Sequence, residues 1–104
     1  MEKSMIKNFE ITAELSMYPL DANYKPPIID FIMDLRQQPG IEIVTNQLAT
    51  QLRGQFAAVT GAINRCMEKT MMESRRVIFT VKYLNTGLDI AVTPSLDIAE
   101  GERS

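Results

Sequence analysis

Over residues 9–18 apolar and polar positions alternate without a break, with Phe9, Ile11, Ala13, Leu15 and Met17 on one side and Glu10, Thr12, Glu14, Ser16 and Tyr18 on the other. A period of two belongs to a strand with one face on a core. Pro19 ends it, because proline has no N–H for a ladder. The period then changes. Asp21, Ala22 and Asn23 supply turn and N-cap chemistry, and Pro26-Pro27 suit a first helical turn. Ile28, Phe31, Ile32 and Leu35 fall at i, i+3, i+4 and i+7, the stripe of an amphipathic helix, and Asp30, Asp34 and Arg36 lie off it. Pro39-Gly40 stops that helix. Two short strands follow over residues 41–46 and 48–53, the second with Leu48, Thr50 and Leu52 on one face. Asn46-Gln47 reads as a tight hairpin between them, and Gly54 closes the pair. From residue 55 to about 74 helical spacing returns at Phe56, Val59, Ile63, Met67 and Thr70 or Met71. Gly61 inside that stretch costs about 1 kcal/mol against alanine, which close packing there would offset. Residues 76–84 alternate once more through Val77, Phe79, Val81 and Tyr83 before the Asn85-Thr86-Gly87 turn. Leu88, Ile90 and Val92 keep some apolar character, and the chain becomes polar after Pro94.

The order is therefore β-α-β-β-α-β. Two β-α-β units with right-handed crossovers, joined through a hairpin, specify an α+β fold. It is a ferredoxin-like sandwich, a four-stranded antiparallel sheet with two helices on one face. The 104 residues fit a single domain, with a core over about 9–84 and a C-terminal tail over about 88–104.

Composition changes this picture mainly by exclusion. A net charge of −2 offers no basic field for a nucleic-acid backbone. The outer sheet face also lacks the aromatic platform of an RNA reader. With no histidine, imidazole catalysis and imidazole metal ligation are out. Cys66 is alone, so neither an intrachain disulfide nor a cysteine zinc site can form. Acidic residues nowhere take EF-hand spacing. No cofactor is expected, and the remaining carboxylate, Lys and Tyr groups show no spacing that argues for an enzyme. Residues 1–7 are mixed in charge and no run approaches a membrane span, so the expectation is a cytoplasmic protein without a membrane partner.

Two places draw chemical interest. Thr45 and Thr50 project toward the helices, either as core threonines bonded to backbone or as hydroxyls lining a pocket between sheet and helices. A neutral, flat ligand with hydrogen-bonding edges would suit such a pocket. Glu14 and Ser16 share the outer face, where the pattern favours a solvated surface over a charge role for Glu14 toward a cationic ligand. Asp30 and Asp34 read as a solvated helical face, and Met67, Met71 and Met72 as helix packing.

Two blocks carry a family resemblance. The run Glu14-Leu15-Ser16-Met17-Tyr18-Pro19-Leu20 resembles the E-L-S-x-Y-P-L opening of the YkoF-like thiamine-binding proteins. Thr45-Asn46-Gln47-Leu48-Ala49-Thr50-Gln51-Leu52-Arg53-Gly54 resembles their T-x-x-L-S-T-x-x-R/E-G hairpin, with Ala49 in place of the serine and arginine at the R/E position. The likeness runs from about residue 9 to 84. It implies a ferredoxin-like domain that binds thiamine or its hydroxymethylpyrimidine part without transforming it, in salvage or transport. It also implies assembly into a homodimer or homotetramer through the sheets. Carried over, the ligand-binding residues are Ser16 and Tyr18 from the first block and Thr45, Asn46 and Thr50 from the second. Their hydroxyl and amide groups match the donor and acceptor edge of an aminopyrimidine. The alternative from another class is a homo-oligomeric interaction or scaffold protein in which Ala49 marks a degenerate or different pocket.

Overall fold

The computed structural model describes residues 9–73 and 76–93. The expectations for residues 1–7, for Ser74 and for the chain from Pro94 onward lie outside them. Six elements follow in the expected order: β1 (Glu10–Pro19), α1 (Lys25–Arg36), β2 (Ile41–Thr45), β3 (Thr50–Gln55), α2 (Phe56–Met72) and β4 (Val77–Leu84). The strands form one sheet in the order β2-β3-β1-β4, every neighbouring pair antiparallel. The fold is α+β and ferredoxin-like.

β1 lies inside the sheet, and its alternation decides which face meets the helices. Ile11, Ala13, Leu15 and Met17 are buried with Leu52 of β3, Phe31 and Leu35 of α1, and Val59, Ala62, Ile63 and Cys66 of α2. Phe31 also meets Phe79 of β4, ring centroids 5.0 Å apart. The α2 stripe thus runs through Val59, Ala62, Ile63, Cys66 and Thr70, while Phe56 and Met71 stay about half exposed. Thr70 is tolerated inside because its hydroxyl donates to the Cys66 carbonyl at 3.1 Å. Phe56 has a different task. Its N–H donates to the Phe9 carbonyl at 2.9 Å and its ring stacks on Phe9, fixing the start of α2 against the start of β1.

Two local expectations are corrected. Asn23 does not cap α1; Tyr24 holds the cap position without a side-chain bond, and the Asn23 N–H instead donates to Asp21 Oδ1. Prolines in the first turn explain this, since they remove N–H groups that a cap would otherwise have to satisfy. Close packing does not account for Gly61, whose nearest neighbour is the flexible end of Arg65 on its own helix. Gly54 is where backbones approach, since a Cβ there would stand 2.8 Å from the carbonyl oxygen of Gly40. Gly40 itself has φ +76°, which favours glycine in the turn from α1 into β2.

The outer face of the sheet is not left bare. Past the Asn85 turn the chain folds back without forming a strand, so Leu88–Val92 adds no fifth strand. Thr12 pins it there. The Thr12 hydroxyl donates to the Thr86 carbonyl at 2.7 Å and accepts the Leu88 N–H at 2.8 Å, which leaves Thr12 buried on the side predicted to be open.

A candidate ligand cleft at the end of the short hairpin

The site arises from a mismatch in strand length. β1 has ten residues, whereas β2 and β3 have five and six. The β1–β3 register stops at Leu15↔Thr50, although β1 continues to Pro19 along β4. From Ser16 onward, the edge of β1 that faced β3 has no strand beside it among the described residues. A cleft of about 460 Å³ occupies this notch, a size common for small-molecule sites.

All five residues singled out from the sequence line it: Ser16, Tyr18, Thr45, Asn46 and Thr50. Thr45 and Thr50 sit opposite each other at the end of the β2–β3 ladder on the helix side, their hydroxyls 3.3 Å apart. Whichever donates, one hydroxyl hydrogen and several lone pairs of the pair stay available. The apolar wall comes from Leu15 and Met17 of β1 and from Ile28, Phe31 and Ile32 of α1. Ile28 and Ile32 belong to the α1 stripe but are only half buried. Their incomplete burial follows from the missing strand beside β1, which could not be read from periodicity.

The hairpin differs from the two-residue turn expected at Asn46-Gln47. Thr45 pairs with Thr50, so the loop has four residues, 46–49, closed by the Asn46 N–H donating to the Ala49 carbonyl at 3.0 Å. Asn46 causes this. Its Oδ1 accepts the N–H groups of Leu48 and Ala49 at 3.2 and 3.1 Å, so the side chain templates the loop and only its amide N–H groups are left for other partners. Leu48 consequently leaves the strand face predicted for it and is exposed. The loop reaches across the notch, where the Ser16 hydroxyl donates to the Leu48 carbonyl at 3.2 Å.

That bridge revises the separation of a pocket under the helices from a surface on the opposite side. Ser16 lies on the outer face by alternation and Thr50 on the inner one, yet both border the same cleft because the sheet has a gap there. Tyr18 is half exposed at the rim, and its phenol has no protein hydrogen-bond partner among the described residues. Ala49 also lines the cleft and offers a methyl group where the resembling pattern has a hydroxyl. Glu14 borders it too, with its carboxylate 3.5 Å from the Lys82 ammonium across the β1–β4 pair. Among the described residues no His, Cys, Asp and Glu side chains cluster as metal ligands. No described helix is long and apolar enough to cross a membrane.

Comparisons with known proteins bear on the fold. No protein-family model and no curated protein matches the chain. Solved structures do. A candidate thiamine biosynthesis/salvage protein from Thermotoga maritima superposes with a TM-score of 0.68 at 13% identity, over 78% of this chain and 90% of that one. A protein from Streptococcus pneumoniae gives 0.65 at 21% identity, over 81% and 93%. The domain of unknown function DUF77 from Bacillus cereus gives 0.62 at 19% identity, over 80% and 85%. At these identities the likeness shows a shared fold, and this chain is built on the same α+β plan as all three.

Proposed function

We propose that the protein binds a small planar heteroaromatic amine, thiamine or its hydroxymethylpyrimidine part, in the cleft between β1, the 46–49 loop and α1, without converting it. The observation that carries this reading is the convergence of Ser16, Tyr18, Thr45, Asn46 and Thr50 on one cleft of ligand size. These residues come from two sequence blocks more than twenty positions apart. The chemistry agrees with the ligand class. A flat ring would lie against Phe31, Ile28 and Ile32, while hydroxyl and amide groups at the opposite wall meet its donor and acceptor edge. A structural neighbour described as a candidate thiamine biosynthesis/salvage protein supports the same reading. Such a binder would serve salvage or transport in the cytoplasm. Isothermal titration with thiamine and with hydroxymethylpyrimidine tests it: saturable heat with at least one is expected, and silence with both at high protein concentration overturns it.

A specific observation favours a second property beside the first. Tyr18 and Ile78 are register neighbours on the outer face of β1 and β4, and both are about half exposed. This supports self-association into a homodimer or homotetramer through that face. If titration is silent while the protein is oligomeric, the scaffold reading takes precedence.

A further inference from the structure

Resting on the binding reading above, we propose that the cleft selects the unphosphorylated form of its ligand, neutral or cationic, and that Glu14 is the residue that sets this preference. Three observations on different elements converge on it. The first is the lining. Among the described residues fourteen line the cleft, of which only Glu14 carries a charge, and no described Lys or Arg is among them. A phosphate monoester brings close to two negative charges at neutral pH, and proteins hold such groups with Arg, Lys or clustered backbone N–H donors. Here it would meet a carboxylate instead.

The second is the helix that enters the cleft. A helix N-terminus is a ready anion site because its first N–H groups are unpaired. α1 begins at Lys25 and sends Ile28 into the cleft, but Pro26 and Pro27 occupy its first turn. Neither proline has an N–H, so the donors that would cradle a phosphate are reduced where they would be needed. Prolines in the first turn therefore weaken the backbone anion site that the start of α1 would otherwise offer beside the notch.

The third is the position of Glu14 itself. It sits on β1 opposite Lys82, and the pair is 3.5 Å apart with side-chain exposures of 41% and 76%. An exposed pair of this kind is weak and leaves the carboxylate free to act on a charge in the cleft. Lys82 lies outside the lining, as does the exposed Lys25. The same carboxylate favours a ligand with a positive ring.

Titration of the unaltered protein with thiamine, thiamine monophosphate, hydroxymethylpyrimidine and hydroxymethylpyrimidine phosphate, at low ionic strength and without divalent cations, tests the proposal. Each unphosphorylated compound is expected to bind at least about tenfold tighter than its ester, with the gap narrowing as salt is added. Glu14→Gln, checked for folding by circular dichroism, should shrink the gap about threefold or more, and Lys82→Gln should widen it. Equal or tighter binding of the esters by the unaltered protein overturns the charge preference while leaving the binding reading intact. A gap that persists unchanged in Glu14→Gln overturns the role of Glu14. Binding of none of the four compounds overturns both readings together.

Discussion

The Thr45–Thr50 hydroxyl pair is where stability and recognition separate most cleanly. Each hydroxyl is the other's partner at 3.3 Å, one half buried and one buried. Thr50→Val keeps the shape but leaves Thr45 without its partner, so a loss of about 1 kcal/mol is expected from urea titration. Changing both to valine removes donor and acceptor together and should return stability to near that of the unaltered protein, while ligand affinity falls about tenfold or more. A double variant that binds unchanged would place recognition elsewhere in the cleft. Titratable groups give a second prediction at this scale. Burial pushes the Cys66 thiol above its ordinary 9.0, helped by Asp34 and opposed by Arg65 and Lys69. The hydrogen bond that Lys69 donates to Asp34, together with the charge of that carboxylate, holds the Lys69 ammonium above 10.5. Burial alone raises the Tyr83 phenol above 10.0. In each case the folded chain keeps a proton that the unfolded chain has begun to release. Stability is therefore fully present below these ordinary values and declines as pH rises through the raised ones. The urea midpoint should hold steady around neutral pH and drop above about 9, and Cys66→Ala should remove the earliest part of the drop. A midpoint that rises with alkaline pH would contradict the direction.

At the scale of elements, the strands and helices were legible because each buries one face, and burial writes a period into the chain. The alternation in β1 assigned Leu15 and Met17 to the core and Ser16 to the other side, and the structure agrees. Thr45 and Thr50 likewise fall on the helix side by alternation, and they pair there. What periodicity could not show was length and return. The four-residue loop depends on Asn46 spending its carbonyl oxygen on two backbone N–H groups, a choice that a hairpin rule for two central residues does not contain. The strap over the outer face depends on one hydroxyl, that of Thr12, bonding residues 74 and 76 positions away. Glycines show the same division. Gly54 and Gly61 look alike in the sequence, yet only the first has a backbone oxygen where a methyl group would go. Gly54→Ala should therefore destabilise the protein by about 1–3 kcal/mol, as overpacking against an immovable neighbour does. Gly61→Ala asks only the Arg65 side chain to move and should stabilise by about 0.5–1 kcal/mol through helix propensity. Shifts in urea midpoint with unchanged slope would measure both. Two shifts of the same sign would contradict the distinction.

For the whole molecule, the proposed self-association concerns the outer sheet face, and that face divides into two halves. Near Thr12 it is covered by the chain's own residues 86–92, whose Leu88 and Val92 remain about half or more exposed. Toward the other end of β1 the surface holds Tyr18 and Ile78 side by side, with Ser16 and Thr80 as the next pair along. Charges cluster away from this end, in the Glu10–Arg53–Glu42 cluster across three strands and the Glu14–Lys82 pair. An apolar end beside a polar, ion-paired middle is the arrangement expected of a surface that docks in one register on a second copy, since apolar contact supplies the attraction and the ion pairs penalise slippage. Ile78 is the residue to change, because it is exposed and its helix-side neighbours Val77 and Phe79 hold β4 in place without it. Light scattering at the concentration used for calorimetry should give a dimer or tetramer for the unaltered protein. Ile78→Glu should give a monomer with an unchanged circular dichroism spectrum. If the cleft is complete within one copy, that monomer should bind ligand with undiminished affinity. Loss of binding on dissociation would mean instead that the second copy completes the site. A monomer for the unaltered protein would remove self-association from the account and leave the Tyr18 rim to the ligand alone.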